Sequence, residues 1–210
     1  MQRYFITGIG TDVGKTVISA IVTESLKADY WKPIQAGDLD YSDTDKVKAL
    51  VSNQQSYFHK NAFALKTPMS PHAAAAIDGI EVKSKAINTP QSPTNNPYLV
   101  VEGAGGLLVP INNTETILDL IQPDDKVILV SRHYLGSINH TLLSAEVLKS
   151  RYKDISIGII FNGEEHPTTE SIIAKKTELP VLGRIDEDLD LTKETISRYA
   201  QKLKTALENL

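Results

Sequence analysis

Residues 8–16 read Gly-Ile-Gly-Thr-Asp-Val-Gly-Lys-Thr, a composition typical of a loop that binds phosphate. Small residues let successive backbone N–H groups surround phosphate oxygens, and a helix that starts there adds about half a positive charge. Lys15 can then reach the outer phosphates, and the Thr16 hydroxyl can ligate Mg²⁺. Five residues instead of the usual four separate Gly8 from Gly14. A glycine-rich turn that happens to precede Lys-Thr is the alternative interpretation, but the segment favours nucleotide binding.

Glu102 is a candidate ligand for the same metal. It follows the apolar run at residues 98–101 and precedes the small residues at 103–106, Gly-Ala-Gly-Gly. Mg²⁺ prefers oxygen ligands, and small residues beside a strand-end carboxylate let a ligand approach closely. The alternative is a solvated acidic residue before a turn.

Asp43 and Asp45 offer two further carboxylates at the start of a predicted helix. Either could ligate the metal, but helix capping is the alternative role for an acidic residue in this position. Of the two, our interpretation prefers Asp45 as the ligand.

Lys32 ends the second apolar segment and is followed by Pro33. It is either a solvated charge at a strand end or a second lysine that converges on the phosphate-binding loop. In the second case it supplies positive charge where phosphoryl transfer develops negative charge.

These residues need elements that bring them together, and the chain alternates short apolar runs with helical stretches. Helices are predicted at residues 14–27, 43–52, 71–76, 116–121, 138–151, 168–177 and 192–207. Strands are predicted at residues 4–7, 30–34, 98–101, 127–130 and 155–161, and such apolar runs suit strands buried on both faces. The pattern predicts an α/β fold in one domain over residues 1–210, a doubly wound, mostly parallel sheet with helices on both faces. Residues 88–97 are expected to form a surface loop, and ligands to bind beyond the carboxyl ends of the strands.

The composition excludes several classes of function. The 210 residues include 22 Lys and Arg against 26 Asp and Glu, a net charge of −4 that argues against nucleic acids and anionic membranes as partners. The absence of cysteine excludes disulfides, thiolate nucleophiles and Cys-ligated metals. No apolar stretch approaches the roughly 18–20 residues of a membrane span, and residues 1–7 are too short for a signal peptide. We therefore expect a soluble, cytoplasmic protein.

Several of these segments together resemble the dethiobiotin synthetases. They are residues 8–16, Lys32-Pro33, Ser70-Pro71-His72, residues 101–106, residues 135–140 (Leu-Gly-Ser-Ile-Asn-His) and Asn162, in the order found in that family. The five-residue spacing inside the phosphate-binding loop becomes part of the resemblance. The combination is specific, although each segment alone is a weak signal.

The resemblance implies an ATP- and Mg²⁺-dependent cyclo-ligase of biotin biosynthesis. Its substrates would be 7,8-diaminononanoate, CO₂ and ATP, and its products dethiobiotin, ADP and phosphate. An amine of the substrate takes up CO₂ as a carbamate, the carbamate attacks the γ-phosphate, and the second amine then closes the ureido ring. The resemblance also implies a homodimer in which the two chains share the active site.

The resemblance further implies roles for individual residues. Lys32, Lys15 and Thr11 would be catalytic, and Thr16, Glu102 and Asp43 or Asp45 would hold Mg²⁺. The nucleotide-binding residues that it implies are Asp12, Val13, Gly14, Lys15, Thr16, Val17, Glu102, Gly103, Ala104, Gly105 and Asn162. The substrate-binding residues that it implies are Ala36, Pro71, Gly136, Ser137 and Asn139.

Two of these assignments carry a qualification from the residues themselves. Ala36 stands where the family often has Ser or Thr, so a hydroxyl contact to the substrate is missing unless Gln35 compensates. Gly136, Ser137 and Asn139 would bind the substrate carboxylate at a helix N-terminus across the dimer interface. For Gly136 and Ser137 a simple helix cap is the alternative.

A regulatory P-loop ATPase of the partitioning or septum-positioning type is the alternative function. Those proteins carry an extra lysine early in the loop, where this chain has Ile9 and Gly10. A small-molecule kinase would need several arginines on a lid, and a glutamine-using amidoligase would need a cysteine nucleophile. The sequence therefore favours the cyclo-ligase.

Overall fold

The structure is a computed structural model that describes residues 1–186 and 190–210, and a parallel β-sheet lies at the centre of them. The strands are β1 (Gln2–Gly8), β2 (Asp29–Trp31), β3 (Ile34–Ala36), β4 (Phe63–Leu65), β5 (Tyr98–Gly106), β6 (Lys126–Arg132), β7 (Ser156–Asn162) and β8 (Val181–Ile185). Six of them form the main sheet in the order β2-β5-β1-β6-β7-β8, and β3 pairs with β4 in a separate small sheet. All of these strand pairs are parallel.

Helices cover both faces of the main sheet, as expected for a doubly wound α/β fold. They are α1 (Lys15–Leu26), α2 (Asp43–Leu50), α3 (Pro71–Asp78), α4 (Ser137–Arg151), α5 (Pro167–Thr177) and α6 (Lys193–Glu208). Helices α1, α2 and α6 contact one another, and α4 contacts α5. The predicted fold class is confirmed, and none of the helices within the described residues has the length and apolar character needed to cross a membrane.

The central strands are apolar on both faces because both faces are covered. On β1, Tyr4 and Ile6 face the core beneath α1 and α6, whereas Phe5 faces the opposite core. Phe5 is fully buried and is in register with Val101 of β5 and Val127 of β6. This pairing aligns the carboxyl ends of the central strands along one edge of the sheet.

The prediction of a single strand at residues 30–34 is wrong. The chain forms β2 up to Trp31, leaves the main sheet at Lys32 and Pro33, and resumes as β3 from Ile34 in the small sheet. Proline has no backbone N–H and cannot continue a central ladder. The Pro33 carbonyl instead accepts hydrogen bonds from the backbone of residues 62 and 63. Lys32 therefore lies between the two sheets, just beyond the carboxyl end of β2.

Other boundaries differ in smaller ways from the sequence-based expectations. The segment predicted as a helix at residues 116–121 forms a 3₁₀ turn at Ile117–Leu120. Strands β4 and β8 were not predicted, because both are short and lack a long apolar run. Residues 88–97 lie outside helices and strands, as expected for a surface loop.

Helix α6 packs on the same face of the sheet as α1, and its buried side chains share a core with Val13 of the phosphate-binding loop. Its buried stripe consists of Ile196, Tyr199, Ala200, Leu203 and Leu207, the stripe expected from helical periodicity. Leu203 reaches so close to β8 that a Cβ on Gly183 would lie 2.3 Å from its Cδ2 atom. The contact between α6 and β8 is therefore tightly packed.

Replacing Leu203 by alanine should leave a cavity in this contact and lower the free energy of unfolding by about 2–5 kcal/mol. Urea denaturation followed by circular dichroism measures the change. Gln201→Ala is the matched control because this side chain is exposed on the same helix, and its effect should stay within about 0.5 kcal/mol. Equal loss of stability in both variants would contradict the packing described for α6.

Candidate active site

The carboxyl ends of β1 and β5 open into a cavity of about 750 Å³, large enough for a small-molecule ligand. One wall comes from the phosphate-binding loop and the start of α1, through Thr11, Asp12, Gly14, Lys15, Thr16 and Val17. The opposite wall comes from β3, α2 and the start of α3, through Lys32, Gln35, Ala36, Asp38, Asp43, Lys46 and residues 68–71. Glu102, Ala104, Gly105 and Val109 lie between the two walls. The cavity thus joins a phosphate-binding loop to a second, lysine- and aspartate-containing wall.

The phosphate-binding loop connects β1 directly to α1, the arrangement that such a loop requires. Gly14 precedes the helix with a φ angle of 94°, a left-handed conformation that favours glycine. The amide of Asn162, at the end of β7, donates a 3.0 Å hydrogen bond to the Val13 carbonyl. A Cβ on Gly14 would lie only 2.4 Å from the Asn162 Nδ2 atom. The loop conformation and its contact with β7 therefore both require glycine at this position.

Lys15 is buried and points back into the loop, where its Nζ atom donates a 2.8 Å hydrogen bond to the Gly10 carbonyl. Burial lowers the pKa of Lys15 to about 8, although the nearby carboxylate of Glu102 partly opposes the shift. An anionic phosphate beside this ammonium would favour the charged form.

Glu102 is the most deeply buried charged group of the cavity, with 1% of its surface exposed. Its Oε1 atom accepts hydrogen bonds from Thr16 Oγ1 at 2.9 Å and from Lys32 Nζ at 3.0 Å. Its Oε2 atom accepts a 2.8 Å hydrogen bond from the Tyr30 hydroxyl. The alternative of a solvated acidic residue at a strand end is therefore wrong. Glu102 connects Thr16, at the start of α1, to Tyr30 in β2 and to Lys32 just after it.

Lys32 lies between two carboxylates, because its Nζ atom also donates a hydrogen bond to Asp43 Oδ2. Burial by itself would lower the pKa of Lys32, but the negative charges of Glu102 and Asp43 raise it above its usual value. Lys32 consequently holds its proton and acts as a fixed positive charge. The alternative of a solvated lysine at a strand end is wrong, since Lys32 is 6% exposed.

The structure brings Asp43, and not Asp45, to the cavity, and this placement favours Asp43 over the Asp45 preferred from the sequence. Both carboxylates lie in the first turn of α2, but the Asp45 carboxylate accepts hydrogen bonds from the Ser42 backbone N–H at 2.9 Å and from Ser42 Oγ at 2.6 Å. This reciprocal capping box holds Asp45 at the helix end. Asp43 lies on the cavity side, and although burial raises its pKa, Lys32 and Lys46 lower it below the usual value.

The remaining predicted residues fall into three groups. Thr11, Asp12, Val17, Ala36, Pro71, Ala104 and Gly105 line the cavity. The Val13 side chain packs in the protein core, and Gly103 lies against Phe5 and Ile117 of the opposite core. Gly136, Ser137 and Asn139 begin α4 and are not among the residues that line the cavity.

Sequence reasoning missed Asp38 and Lys46, which line the cavity, and Tyr30, which is buried beside it and contacts Glu102. Tyr30 looks like an ordinary strand residue in the sequence, and nothing there reveals its hydrogen bond to Glu102. Lys46 could have been noticed, because it stands three residues after Asp43 and so on the same helix face. Gln35 lines the cavity next to Ala36, and its Nε2 atom donates a 3.0 Å hydrogen bond to the Gly37 carbonyl.

The Thr16 hydroxyl and the carboxylates of Glu102 and Asp43 are oxygen ligands of the kind that Mg²⁺ prefers, and a phosphate ligand could share the ion with them. Thr16 and Glu102 are in direct contact, and Lys32 bridges Glu102 to Asp43. Within residues 1–186 and 190–210 no group of three or more His, Cys, Asp or Glu side chains could enclose a metal. Mg²⁺ at a nucleotide needs only one or two carboxylates, because phosphates and waters complete its octahedron.

An apolar surface adjoins the cavity on the side of α4. The exposed side chains of Leu135, Ile138 and Leu143 lie at or near the start of this helix, and Leu108 is 59% exposed on the loop after β5. Leu108 and Leu143 line a common groove with Gly10 and Thr11 of the phosphate-binding loop. Exposed apolar groups that cluster in this way are typical of an interaction surface.

Comparison with known sequences identifies close relatives. A family model described as an AAA domain matches residues 2–195. The ATP-dependent dethiobiotin synthetase BioD of Christiangramia forsetii is 63% identical over 206 residues, which cover 98% of this chain and 98% of the relative. The protein of the same name from Cytophaga hutchinsonii is 50% identical over 204 residues, which cover 97% of each chain.

Comparison with solved structures identifies proteins of the same fold. The MinC:MinD cell division protein complex of Aquifex aeolicus matches with a TM-score of 0.59 and 16% identity, covering 100% of this chain and 97% of that one. A ParA family ATPase from Chlorobium tepidum matches with a TM-score of 0.55 and 15% identity, covering 99% and 94%. At this identity the likeness extends to the fold alone.

Polyphosphate binding should weaken as the pH rises through the pKa of Lys15. The pKa of about 8 lies below the usual 10.5, so the ammonium is charged at pH 7 and about nine-tenths neutral at pH 9. An anionic ligand binds the charged form, and calorimetry with inorganic tripolyphosphate should therefore show about tenfold weaker binding at pH 9 than at pH 7.

Lys15→Arg is the matched control for this measurement. Arginine stays charged at both pH values, so the variant reports the ligand's own ionisation and any general effect of pH. The difference between the wild-type protein and Lys15→Arg isolates the titration of Lys15. The same pH dependence in both proteins would contradict the assignment.

Proposed function

Since the chain belongs to the family of ATP-dependent dethiobiotin synthetases, we propose that it joins 7,8-diaminononanoate to CO₂ with the conversion of ATP to ADP and phosphate. Membership of the family makes the protein an ATP-dependent ligase that forms dethiobiotin in biotin biosynthesis. The observation that carries the finer proposal is the position of Lys32. Its fixed charge lies between Glu102 and Asp43, in the same cavity as the phosphate-binding loop.

The phosphate-binding loop would hold the triphosphate of ATP. The N-terminus of α1 and the Lys15 ammonium would neutralise the phosphates, and Thr11, at the cavity surface, would donate a hydrogen bond near the transferred group. The contact of Asn162 with the Val13 carbonyl places this amide beside the loop. That position supports a role for Asn162 at the base of the nucleotide, where an amide offers both a donor and an acceptor.

The proposed reaction has three steps. One amine of the substrate bonds to the carbon of CO₂ and loses a proton, which gives a carbamate. A carbamate oxygen then attacks the γ-phosphorus, the bond to ADP breaks, and a carbamic–phosphoric anhydride forms. The second amine attacks the carbonyl carbon, loses its proton, and expels phosphate as the ureido ring closes.

Lys32 would act in this reaction as an electrostatic group. The carbamate and the γ-phosphate are both anions, so they repel each other as they approach. A permanently charged ammonium between them lowers that repulsion, and its raised pKa suits this role better than proton transfer. The ammonium is held in place before substrate arrives by its two carboxylate partners.

A magnesium ion would be held by Thr16, Glu102 and Asp43. The contacts of Glu102 with Thr16 and of Lys32 with both carboxylates support this set, and Asp45 is left out because it caps α2. When bound, the ion would neutralise negative charge on the phosphates during transfer. The residues of the chain would orient it through one hydroxyl and two carboxylates.

The diamine would lie along the opposite wall, against Ala36 of β3 and Pro71 at the start of α3. Alanine at position 36 offers no hydroxyl, so the amines would rely on the charged groups around Lys32. We propose that the substrate carboxylate reaches Gly136, Ser137 and Asn139 of a second copy of the chain. The exposed apolar surface of α4 supports such a homodimer.

Formation of dethiobiotin tests the proposal directly. The purified protein should convert 7,8-diaminononanoate, bicarbonate and Mg-ATP to dethiobiotin and one equivalent of ADP, detected by mass spectrometry and a coupled assay. Omission of any one substrate should abolish the product. A folded protein that binds ATP and yields no dethiobiotin would overturn the proposal.

Lys32→Gln is the control for a contaminating host enzyme in this assay. Removal of the ammonium should reduce turnover at least about 100-fold, the scale of losing one electrostatic donor at a reacting oxygen. Circular dichroism and binding of an ATP analogue show whether the variant retains its fold. Wild-type turnover in Lys32→Gln would remove this residue from the catalytic groups.

The two aspartates of α2 provide a matched pair for the magnesium proposal. Asp43→Asn should raise the Mg²⁺ concentration required for half-maximal turnover at least about tenfold, because a neutral amide is a poor Mg²⁺ ligand. Asp45→Asn should leave this requirement unchanged and lower stability by no more than about 1 kcal/mol through the weakened cap. The reverse pattern would restore Asp45 as the ligand.

A further inference from the structure

Lys46 lies on α2 one turn after Asp43, and its Nζ atom is 3.1 Å from Asp43 Oδ1. It is also 3.4 Å from Asp38 Oδ2. We propose that Lys46 is a positioning residue that holds the outer oxygen of Asp43 and is displaced from it when a metal ion binds. This inference rests on the magnesium site of the proposed function.

Both oxygens of the Asp43 carboxylate already have a lysine partner. Oδ2 accepts from the buried Lys32, and Oδ1 accepts from Lys46. A metal ion bound to this carboxylate would lie close to one or both ammonium groups, and the like charges would repel each other. The less firmly held of the two lysines would then move away.

Lys46 is the lysine that can leave. Its side chain is 36% exposed, whereas that of Lys32 is 7% exposed and is also held by Glu102. Withdrawal of Lys32 would leave Glu102 buried without its charged partner, at a high energetic cost. Withdrawal of Lys46 exposes a solvated ammonium on a flexible stem, which costs little.

Charge balance gives Lys46 a function before the metal arrives. Four carboxylates, those of Asp12, Asp38, Asp43 and Glu102, line the cavity, and Lys15 and Lys32 alone would leave an excess of negative charge around α2. Lys46 reduces this excess from two charges to one, and its contact with Asp43 holds that carboxylate toward the cavity. Lys46 and the metal ion therefore compete for Asp43. The ion pair that orders Asp43 must be broken before the metal binds, and its free energy is subtracted from that of metal binding.

Direct metal binding tests the inference. Electron paramagnetic resonance measures free Mn²⁺ in the presence of the protein and a non-hydrolysable ATP analogue. Lys46→Met should bind Mn²⁺ about two- to fivefold more tightly than the wild type, the size that a partly exposed ion pair supplies. Lys46→Arg keeps the charge and should bind as the wild type does.

Lys48→Met is the matched control because it removes the same charge from an exposed position two residues further along α2. It should leave Mn²⁺ binding within the error of the wild type. Lys46→Gln repeats the test if Lys46→Met folds poorly. Unchanged or weaker Mn²⁺ binding in the folded Lys46 variants, or an equal gain in Lys48→Met, would overturn the inference.

The readout separates this inference from the proposed function. Mn²⁺ binding needs neither the diamine nor turnover, so tighter binding by Lys46→Met supports the displacement even if the wild type forms no dethiobiotin. Wild-type turnover with unchanged metal binding in Lys46→Met would instead retain the function and remove the role of Lys46. Absence of any Mn²⁺ binding by the wild type would overturn the displacement itself.

Discussion

The buried carboxylate of Glu102 is the group on which the candidate active site depends. A charge that is 1% exposed is stable only with partners, and Thr16, Tyr30 and Lys32 supply them from α1 and from the end of β2. Removal of one partner from a buried pair typically costs about 3–5 kcal/mol, so these four residues constrain one another's positions. The distance between the phosphate-binding loop and the lysine wall is thereby fixed before any ligand binds.

Much of the fold follows from the sequence because its signals are local. The long apolar runs of β5, β6 and β7 and the periodic stripe of α6 mark buried elements without reference to their neighbours. The short strands β4 and β8 carry no such signal, since they exist only through pairing with β3 and β7. Pro33 could have predicted a break in the strand. It could not have predicted that β3 joins a different sheet, because that depends on its pairing with β4, which is distant in the chain.

The residues of the candidate site likewise include some that the sequence predicts and some that it does not. Lys15, Thr16 and Glu102 follow from motif and position, because a loop or a strand end determines where each side chain lies. The choice between Asp43 and Asp45 does not, since both stand in the first turn of one helix and differ only in which way they face. Ser42 engages Asp45 in a capping box, and this contact favours Asp43 as the ligand. A capping signal, Ser followed three residues later by an acidic residue, was present in the sequence and would have favoured Asp43.

The small β3–β4 sheet is joined to the main sheet through Lys32 and Pro33, and it carries Ala36 on the wall opposite the phosphate-binding loop. The two walls are thus built on separate hydrogen-bonding frameworks. Ile34 and Leu65 of the small sheet pack into the same core as Phe5, whereas Ala36 faces the cavity. The wall proposed for the second substrate can therefore change at position 36 without any change in the pairing of the strands that carry the phosphate-binding loop, so that substrate fit could evolve separately from phosphate binding.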